Sequence, residues 1–402
     1  MAVTPANGNP SVLIVVQNMP VPLDRRVWQE CQALRDAGYR VSVICPRGPG
    51  QRARELLEGV VIHTYAPPLA TWGVLSYFAE FSYCWVRTLL LSLRVRRERG
   101  IDVIQACNPP DTYFLLALLH RPFGTRFMYD QHDLCPEVYE SRFGRDEGLM
   151  LRLVRLFERL TYLSANHVVV TNESYRSVAL ERGHLEASQV TVVRSGPDPD
   201  RMRRGDPRPE LREGRGFLCC WLGIMGPQDG VDLLLESIAT FVHEHGREDC
   251  HFALLGYGDC LGDLRRQATA SDIDPWVTFT GPAGPDTISA YLSTADIGLS
   301  ADPLSPLNDV STMNKTMEYM AFELPVVAYD LQETRVSAAR AAVYVTPNDP
   351  AAYAKAISDL LDSPRQRAEM GALGRQRIEE ELSWQRQRPD YVGVFDALVG
   401  GS

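Results

Sequence analysis

The sequence has almost no lysine. Its 41 basic residues are 39 arginines and only two lysines, Lys315 and Lys355. Proteins that bind nucleic acid usually carry basic tracts interleaved with aromatic residues, and this chain has none and a formal net charge of −10. We therefore expect no nucleic-acid partner. Residues 1–196 hold 22 basic and 19 acidic side chains, whereas the remainder holds 19 and 32, so the two halves are expected to face different partners.

The sequence predicts neither a cysteine framework nor a secretory signal. Its nine cysteines form no Cys-x-x-Cys pair and lie mostly in apolar runs such as VSVIC and FLCCW. That pattern is typical of reduced, buried thiols and excludes a disulfide scaffold or a zinc site. The opening MAVTPANGNP has neither the basic nor the apolar region of a signal peptide. A cytoplasmic protein is expected.

The most apolar segment, FAEFSYCWVRTLLLSLRVRRERG at residues 78–100, contains Glu80 and Arg87. These charges make it too polar to span a bilayer. It can be a helix packed on a sheet with arginines at its end, which is the usual fate of such segments. Alternatively, it can make a weak peripheral contact with an anionic membrane through the N-terminal domain.

Length and periodicity predict two α/β domains. A chain of 402 residues exceeds what one hydrophobic core usually organises. Short apolar runs alternate with helix-length amphipathic segments, which is typical of parallel sheets covered by helices on both faces. The predicted strands are 12–16, 41–45, 60–64, 102–106, 126–130 and 167–171, then 217–222, 251–255, 276–279, 296–300, 325–329 and 342–346.

These elements predict two Rossmann-like, doubly wound domains facing across a cleft. The segment 194–216 is rich in Pro, Gly and Arg and has no apolar period, as in a linker. The predicted parts are a first domain 1–195, a linker 196–216, a second domain 217–385, and a C-terminal helix 386–402 that can pack back on the first domain. Ligands of doubly wound sheets bind beyond the carboxyl ends of the strands.

The segment NDVSTMNKTMEYMA, residues 308–321, follows one such strand. Asp309, Ser311 and Thr312 are cap-type residues and predict a helix from about Thr312 to Glu323. The free N–H groups at a helix start attract phosphate. Lys315 and Glu318 would share the solvent or ligand side, with a cation for phosphate and a carboxylate for sugar hydroxyls. An ordinary surface ion pair is the alternative.

Glycines follow two strands of the second domain. Gly223, Gly226 and Gly230 either let a phosphate approach the backbone or form a plain strand-to-helix turn. The spacing of glycines in residues 256–262 misses the dinucleotide fingerprint by one residue and is therefore weak evidence for a nicotinamide cofactor.

Polar side chains also follow two strands of the first domain. His132, Asp133 and Glu137 come after the fifth strand, and Asn108 and Asp111 come after the fourth. They are candidates for the cleft. A structural histidine and a plain helix start are the respective alternatives.

Taken together, several segments resemble the retaining nucleotide-sugar glycosyltransferases of family 4, which have the GT-B fold. The segments are LDRRVWQECQALRDAGYRVSVIC, YDQHDLCPE, VVVTNESYRSVALERG, VTVVRSGPD, LGIMGPQDGVDLLLESI, LLGYGD and NKTMEYMAFELPVVAYD. The resemblance implies a hexosyltransferase-like enzyme that uses a nucleoside-diphosphate sugar, with UDP favoured over GDP. The acceptor would be a glycan, a lipid-linked sugar or a small molecule.

The resemblance also assigns roles to residues. Glu318 would bind the donor ribose, and His132 would lie near the transferred sugar. Both are expected to be catalytic, together with Lys315. The resemblance implies that the domain 1–195 binds the acceptor and that the domain 217–385 binds the nucleotide sugar. The donor diphosphate would be held at the helix start by Ser311, Thr312, Asn314 and Lys315. Gly226 and Asp309 are further candidates for donor binding. The acceptor or cleft candidates are Arg25, Arg26, Asn108, Asp111, Asp133 and Glu137. No metal and no cofactor is expected.

The chain departs from the family pattern at three points. Val310 stands where the family has its first glutamate, and Ile224 and Asp229 stand where it has an arginine and a lysine. The first loop, QNMPVPLDRR, lacks the usual glycine pair, so that Arg25 or Arg26 would have to supply charge. Two alternatives therefore stay open, a catalytically degenerate nucleotide-sugar-binding partner and a GT-B nucleotide-sugar epimerase.

Overall fold

The structure, a computed structural model, describes residues 8–67, 74–144 and 148–400, without the side chains of residues 74–78. The chain divides into two compact units. The first unit is Met1–Arg194 with Gln387–Ser402, and the second is Ser195–Arg386. Each unit is a β-sheet with helices, parallel throughout in the second unit and parallel apart from one edge strand in the first, and the predicted fold class is confirmed.

The first unit contains an eight-stranded sheet in the order β3-β4-β2-β1-β5-β6-β7-β8. All neighbours pair in parallel except β3 with β4. Its strands are β1 (Ser11–Val15), β2 (Arg40–Pro46), β3 (Arg54–Leu57), β4 (Val60–Tyr65), β5 (Val103–Cys107), β6 (Arg126–Gln131), β7 (His167–Val170) and β8 (Val190–Val192). Its helices are α1 (Arg25–Asp36), α2 (Val74–Arg99), α3 (Phe114–His120), α4 (Cys135–Phe143), α5 (Leu149–Ser164) and α6 (Glu173–Gly183).

The second unit contains six parallel strands in the order β11-β10-β9-β12-β13-β14. They are β9 (Phe217–Ile224), β10 (Cys250–Tyr257), β11 (Val277–Gly281), β12 (Ile297–Ser300), β13 (Val326–Tyr329) and β14 (Ala342–Val345). The helices are α7 (Val231–Ala239), α8 (Leu261–Ala270), α9 (Pro285–Thr294), α10 (Pro306–Val310), α11 (Asn314–Ala321), α12 (Gln332–Ala338), α13 (Pro350–Leu361), α14 (Pro364–Arg377) and α15 (Trp384–Gly400), the last crossing into the first unit.

Continuous apolar strands explain this architecture. In β9, Cys219 and Trp221 pack into the core on one face of the sheet, and Leu218 and Cys220 pack into the core on the other. A strand that is buried on both faces cannot alternate polar with apolar residues, and it pairs in parallel under helices. None of the helices in the described ranges is long and apolar enough to cross a membrane.

The sequence did not predict β3 and β8. The sequence of β3 is RELL, an antiparallel edge strand with exposed positions, and β8 has three residues. In β3, exposed positions interrupt the apolar run, and β8 is a short edge strand in which Val190 alone is buried.

Residues 196–216, predicted as a linker, belong to the second unit. There Arg204 Nε donates to Ser293 O at 3.2 Å, and Arg212 Nη1 lies 2.9 Å from Asp296 Oδ2. The segment lacks an apolar period because arginine contacts anchor it to the unit.

Candidate functional site

The second unit gathers its candidate residues at the carboxyl ends of β9 and β12, which pair in parallel. The turn after β9 leads into α7, and the loop after β12 leads through α10 into α11. Because the strands are parallel neighbours, both connections begin at the same edge of the sheet, where doubly wound domains bind ligands.

The predicted helix start at Thr312 is wrong, because α11 begins at Asn314. The chain first forms the short helix α10, whose N-cap Ser305 accepts the Asn308 N–H at 3.1 Å. Ser305 followed by proline is itself a helix-start signal. The sequence predicted the helix start later, in the longer polar run that follows. Thr312 is half-buried between the two helices, and Asn314 is exposed as the first residue of α11.

Asp309 and Ser311 do not cap α11. Ser311 Oγ donates to Leu307 O at 2.7 Å, within the turn of α10. Asp309 Oδ1 accepts the Gln332 N–H at 2.8 Å, at the start of α12. Their polar groups therefore form hydrogen bonds with α10 and α12, the helices before and after α11.

Lys315 is largely buried, with 9% of its side chain exposed. Its Nζ lies 2.6 Å from Asp302 Oδ1 and 4.0 Å from Asp229 Oδ1, and 4.8 Å above the Trp221 ring. Glu318, one turn further, is 5% exposed. A surface pair of Lys315 with Glu318 does not describe this helix, since both side chains are buried and the ammonium binds Asp302.

Asp302 is itself held in place. Its Oδ2 accepts a hydrogen bond from Ser300 Oγ at 2.7 Å, and Thr316 Oγ1 lies 3.2 Å from the same hydroxyl. The carboxylate is thus satisfied on both oxygens, by a hydroxyl and by the Lys315 ammonium. A buried ion pair with additional hydrogen bonds is well oriented, so the Lys315 ammonium is held at a defined point beside the turn after β9.

The glycines of that turn have two different roles. Gly230 has φ +66°, and a Cβ there would lie 2.0 Å from Ala301 O, so glycine is required by packing alone. Gly226 is different, because its N–H donates to Asp229 Oδ2 at 3.0 Å. The Asp229 carboxylate thus lies between a backbone N–H and the Lys315 ammonium, which are groups that would also bind a phosphate.

In the first unit, Arg26 is the centre of a buried charge cluster and is only 8% exposed. Its Nη2 lies 2.9 Å from Asp130 Oδ1, its Nε lies 3.0 Å from Glu30 Oε1, and its Nη1 donates to Val193 O at 2.8 Å. The neighbouring Arg25 is exposed on α1. The two arginines are therefore not equivalent, since Arg26 lies between two buried carboxyl groups and Arg25 does not.

His132 is attached to this cluster through its ring. Its Nε2 lies 2.7 Å from Asp130 Oδ2 and 3.1 Å from Arg26 Nε, and 15% of its side chain is exposed. The shorter contact is satisfied when Nε2 carries a proton and donates it to Asp130. That tautomer leaves Nδ1 as the ring acceptor.

The cluster splits the pKa values of its two carboxyl groups. Burial and the neighbouring Asp130 raise the pKa of Glu30 well above its ordinary value. Burial also opposes ionisation of Asp130, but Arg26 and His132 outweigh it and hold the pKa of Asp130 well below its usual range. Asp130 therefore ionises far more readily than Glu30, and it is the carboxylate that Arg26 and His132 stabilise.

Four metal-ligating groups meet in this cluster, because the ligand atoms of Glu30, Cys107, Asp130 and His132 lie within 4.8 Å of one another. The Arg26 guanidinium lies within about 3 Å of the ligand atoms of Glu30, Asp130 and His132. It thus provides the positive charge that a metal ion would otherwise bring to these groups. Burial raises the pKa of the Cys107 thiol well above its ordinary value, which disfavours the thiolate that binds metals. The donor set therefore fits the arginine better than a metal ion.

Glu30, Gln105 and Asp130 were not predicted from the sequence. Gln105 Nε2 donates to Glu30 Oε2 at 2.7 Å and to Asp130 Oδ2 at 2.9 Å. Gln105 Oε1 accepts a hydrogen bond from Tyr391 in α15 at 2.6 Å. The available signal was a polar residue within the otherwise apolar β5 and β6, together with the four-residue spacing of Arg26 and Glu30.

Asn108 positions the backbone that carries His132. Its Oδ1 accepts the N–H groups of His132 and Asp133 at 2.6 and 3.1 Å, and its Nδ2 donates to Asp133 O at 2.7 Å. Asp111 also contacts Asn108 Nδ2, at 3.1 Å. Both residues are buried, and their hydrogen bonds hold the loop that carries His132 in place. A helix start alone does not account for these contacts.

Glu137 lies in the first turn of α4. Its carboxylate pairs with Arg182 of α6. Asp133 is half-buried beside His132, and burial raises the pKa of its carboxyl. Of the first-unit candidates, the structure therefore brings together Arg26, Asn108, His132 and Asp133, and it places Glu137 in a separate ion pair.

Glu30→Gln should flatten the pH dependence of stability. The raised pKa of Glu30 means that the folded state keeps a proton that the unfolded chain releases above a pKa of about 4.3. The contribution of Glu30 is therefore fully present below that pH and is lost as pH rises. Urea unfolding at several pH values measures this. The free energy of unfolding of Glu30→Gln should rise relative to that of the wild type as pH rises. For Glu181→Gln, at an exposed glutamate, the difference from the wild type should stay constant. Parallel curves for both variants would refute the raised pKa.

Two family models match the chain. The one described as "Glycosyl transferase 4-like domain" matches residues 23–196, and the one described as "Glycosyl transferases group 1" matches residues 216–363. Together they cover most of both units.

Curated relatives carry related names. The D-inositol 3-phosphate glycosyltransferase of Streptomyces avermitilis is 25% identical over 261 residues, which is 61% of this chain and 55% of the relative. A GDP-mannose-dependent alpha-(1-6)-phosphatidylinositol monomannoside mannosyltransferase of Mycolicibacterium smegmatis is 29% identical over 213 residues, covering 52% of this chain and 54% of that protein. The matched part thus spans about half the length of these relatives.

Solved structures share the fold over nearly the whole chain. Sucrose-phosphate synthase from Thermosynechococcus elongatus superposes with a TM-score of 0.80 at 17% identity and covers 98% of this chain and 100% of that one. Anabaena HepE in complex with UDP-glucose gives 0.72 at 15% identity, covering 96% and 99%. With both family models and this fold, the chain belongs to the family 4-like glycosyltransferases of the GT-B fold.

Proposed function

We propose that this protein transfers a sugar from a nucleoside-diphosphate sugar to an acceptor, with retention of the anomeric configuration. One observation carries the proposal. Between the Gly226 N–H and the Lys315 ammonium lies a position that an anionic group already occupies, the Asp229 carboxylate. A diphosphate suits the same donors, since a backbone N–H, a helix start and a cation are typical phosphate ligands.

The reaction needs a leaving diphosphate whose growing charge is stabilised, and a sugar with oxocarbenium character. Lys315, the Gly226 N–H and the start of α11, with Ser311, Thr312 and Asn314 around it, would supply that stabilisation. Glu318 would bind the ribose, and the oriented ring of His132 would lie near the transferred sugar. We assign no second carboxylate as nucleophile, and front-face transfer is therefore our mechanism.

We favour UDP as the donor nucleotide and place GDP next. The complex of HepE with UDP-glucose supports the first, and the name of the mycobacterial relative supports the second. The acceptor would be a glycan, a lipid-linked sugar or a small molecule. Relatives named for an inositol phosphate and for a phosphatidylinositol mannoside support the last two classes.

A binding-only protein is the second candidate, and a specific observation favours it. Asp302 already neutralises Lys315 at 2.6 Å, and Asp229 occupies the anion position. A donor must therefore displace Asp229 and share Lys315 with Asp302, which weakens the stabilisation available to a leaving group.

Turnover and product stereochemistry test the proposal. NMR should show a purified protein releasing nucleoside diphosphate from one of the UDP-, GDP-, ADP- or TDP-sugars and forming a product with the anomeric configuration of the donor. Glu318→Ala should abolish turnover, whereas Glu369→Ala, at a carboxylate with 62% exposure, should not. Donor binding without turnover would establish the binding-only candidate, and an inverted product would overturn the mechanism.

A further inference from the structure

Exposed apolar side chains are concentrated on one part of the first unit. In the described part of the chain, nineteen large apolar side chains are exposed, and twelve of them lie on α2, α3, residues 121–123 and α5. We call these twelve the apolar helix face. They are Phe81, Tyr83, Val86, Leu90, Leu93, Leu115, Leu118, Leu119, Phe123, Leu149, Leu156 and Leu163.

The three helices form one layer. They connect β4 to β5, β5 to β6, and β6 to β7, which are crossovers that all run in the same direction across the sheet. Right-handed crossovers therefore place the helices on the same face. Ser92 Oγ of α2 lies 3.0 Å from His120 Nε2 of α3, and the rings of Phe114 in α3 and Phe157 in α5 are 6.5 Å apart.

The exposed side of α2 is more apolar than that of a usual surface helix. Its buried side carries Cys84, Thr88 and Ser92 together with Val95, and its exposed side carries Val86 and Leu90 beside charged residues such as Arg87. A helix that only had to cover the sheet would place its large apolar residues inward. The outer side of α2 therefore has the composition of a contact surface.

Along α5, apolar and basic residues alternate on a single stripe. Leu149, Arg152, Leu156, Arg159 and Leu163 recur at spacings of three and four, and all are exposed. Residues at such spacings share one side of a helix. This arrangement places guanidinium groups beside apolar side chains at the same surface.

The charge of the layer is one-sided. On α2, α3, residues 121–123 and α5, seven arginines are exposed but only two carboxylates, Glu80 and Glu98. The arginines are Arg87, Arg94, Arg97, Arg121, Arg152, Arg155 and Arg159. Arg94 pairs with Glu98, and Arg155 with Glu140 of α4. The remaining excess is positive, in a chain whose net charge is −10.

We propose that the apolar helix face lies on an anionic membrane surface. Leucine and phenylalanine at the boundary of the acyl chains, with arginines at the headgroups, match the chemistry of such a surface. A second copy of this face would bring arginines against arginines. A nucleic acid would leave the leucines without an apolar partner. The inference does not depend on the proposed catalytic function.

Vesicle sedimentation with the full-length protein tests this inference. We expect the protein to pellet with vesicles of phosphatidylcholine and phosphatidylglycerol and to stay in solution with phosphatidylcholine alone. Raising the salt from about 0.1 M to about 1 M shortens the screening length roughly threefold and should release much of the bound protein. Equal recovery in solution with both kinds of vesicle would overturn the proposal.

Paired variants distinguish binding through the apolar helix face from non-specific binding of arginines to anionic vesicles. Arg152→Gln with Arg159→Gln should weaken vesicle binding about 25-fold, at about fivefold for each basic residue. Arg201→Gln with Arg340→Gln, at exposed arginines of the second unit, should not weaken it. Equal losses in both pairs would contradict the assignment.

Apolar variants test the leucines. Leu118→Gln with Leu119→Gln should reduce vesicle binding, whereas Leu56→Gln with Val336→Gln, at exposed apolar residues elsewhere, should leave it unchanged. Circular dichroism melting checks that each pair folds. A concentration-dependent dimer in analytical ultracentrifugation, lost in Leu118→Gln with Leu119→Gln, would instead assign this face to a second copy and overturn the proposal.

Discussion

Lys315→Ala is expected to lower the free energy of unfolding by about 3–5 kcal/mol, because it leaves Asp302 buried without its cation. Asp302 is 3% exposed and lies 2.6 Å from the ammonium. Lys355→Ala is a matched control, since Lys355 pairs at 2.5 Å with Asp359 in an exposed i, i+4 geometry. Such pairs contribute about 0.3–0.5 kcal/mol. Urea unfolding of both variants measures the difference.

The same two lysines test the donor site. Lys315→Ala should weaken nucleotide-sugar binding more than Lys355→Ala does, measured by calorimetry below the unfolding transition. If Lys315→Ala does not fold, Lys315→Met combined with Asp302→Asn removes both charges and keeps the volume. Equal donor affinities in the Lys315 and Lys355 variants would refute the assignment of Lys315.

Removing both carboxyl groups beside Arg26 should cost more than the sum of the single changes. In Asp130→Asn, Glu30 ionises more readily and keeps Arg26 paired, because the charge of Asp130 no longer raises the pKa of Glu30. In Glu30→Gln, Asp130 remains. In the double variant, Arg26 is buried with no carboxylate and the loss should reach about 3–5 kcal/mol. The four unfolding free energies form a double-mutant cycle.

A coupling of more than about 0.5 kcal/mol between the two sites is the expected result of this cycle, since residues in one charge network are not additive. If the two single losses add up to the double loss to within about 0.5 kcal/mol, Arg26 is not stabilised by both carboxyl groups. Asp130→Asn with Glu181→Gln is the control pair, because Glu181 is exposed on α6.

The fold could be predicted from sequence wherever burial dictates composition. The apolar run VLIVV predicted β1, which begins one residue earlier than expected. Edge strands such as β3 were not predicted, because a strand with only one covered face has no continuous apolar run. The resemblance to family 4 rested on motifs spread along both units, and both family models match there.

The candidate site could be predicted only in part. Lys315 and Glu318 stood out through their spacing, but the sequence could not show that Lys315 binds Asp302, a residue thirteen positions earlier in another loop. Likewise, Arg26 was proposed as a source of charge for a ligand, whereas Asp130 and Glu30 hold it in the structure. Such pairings depend on strand order, which local patterns do not encode.

The central claim is that the edge of the second sheet binds a nucleoside-diphosphate sugar. Thermal unfolding of the wild type and of Glu318→Gln, each with UDP-, GDP-, ADP- and TDP-sugars, tests it most directly, because a ligand of the native state raises the melting temperature. The account predicts that one donor stabilises the wild type and that Glu318→Gln loses most of that shift. Stabilisation by no donor, or equal stabilisation of both proteins, would contradict it.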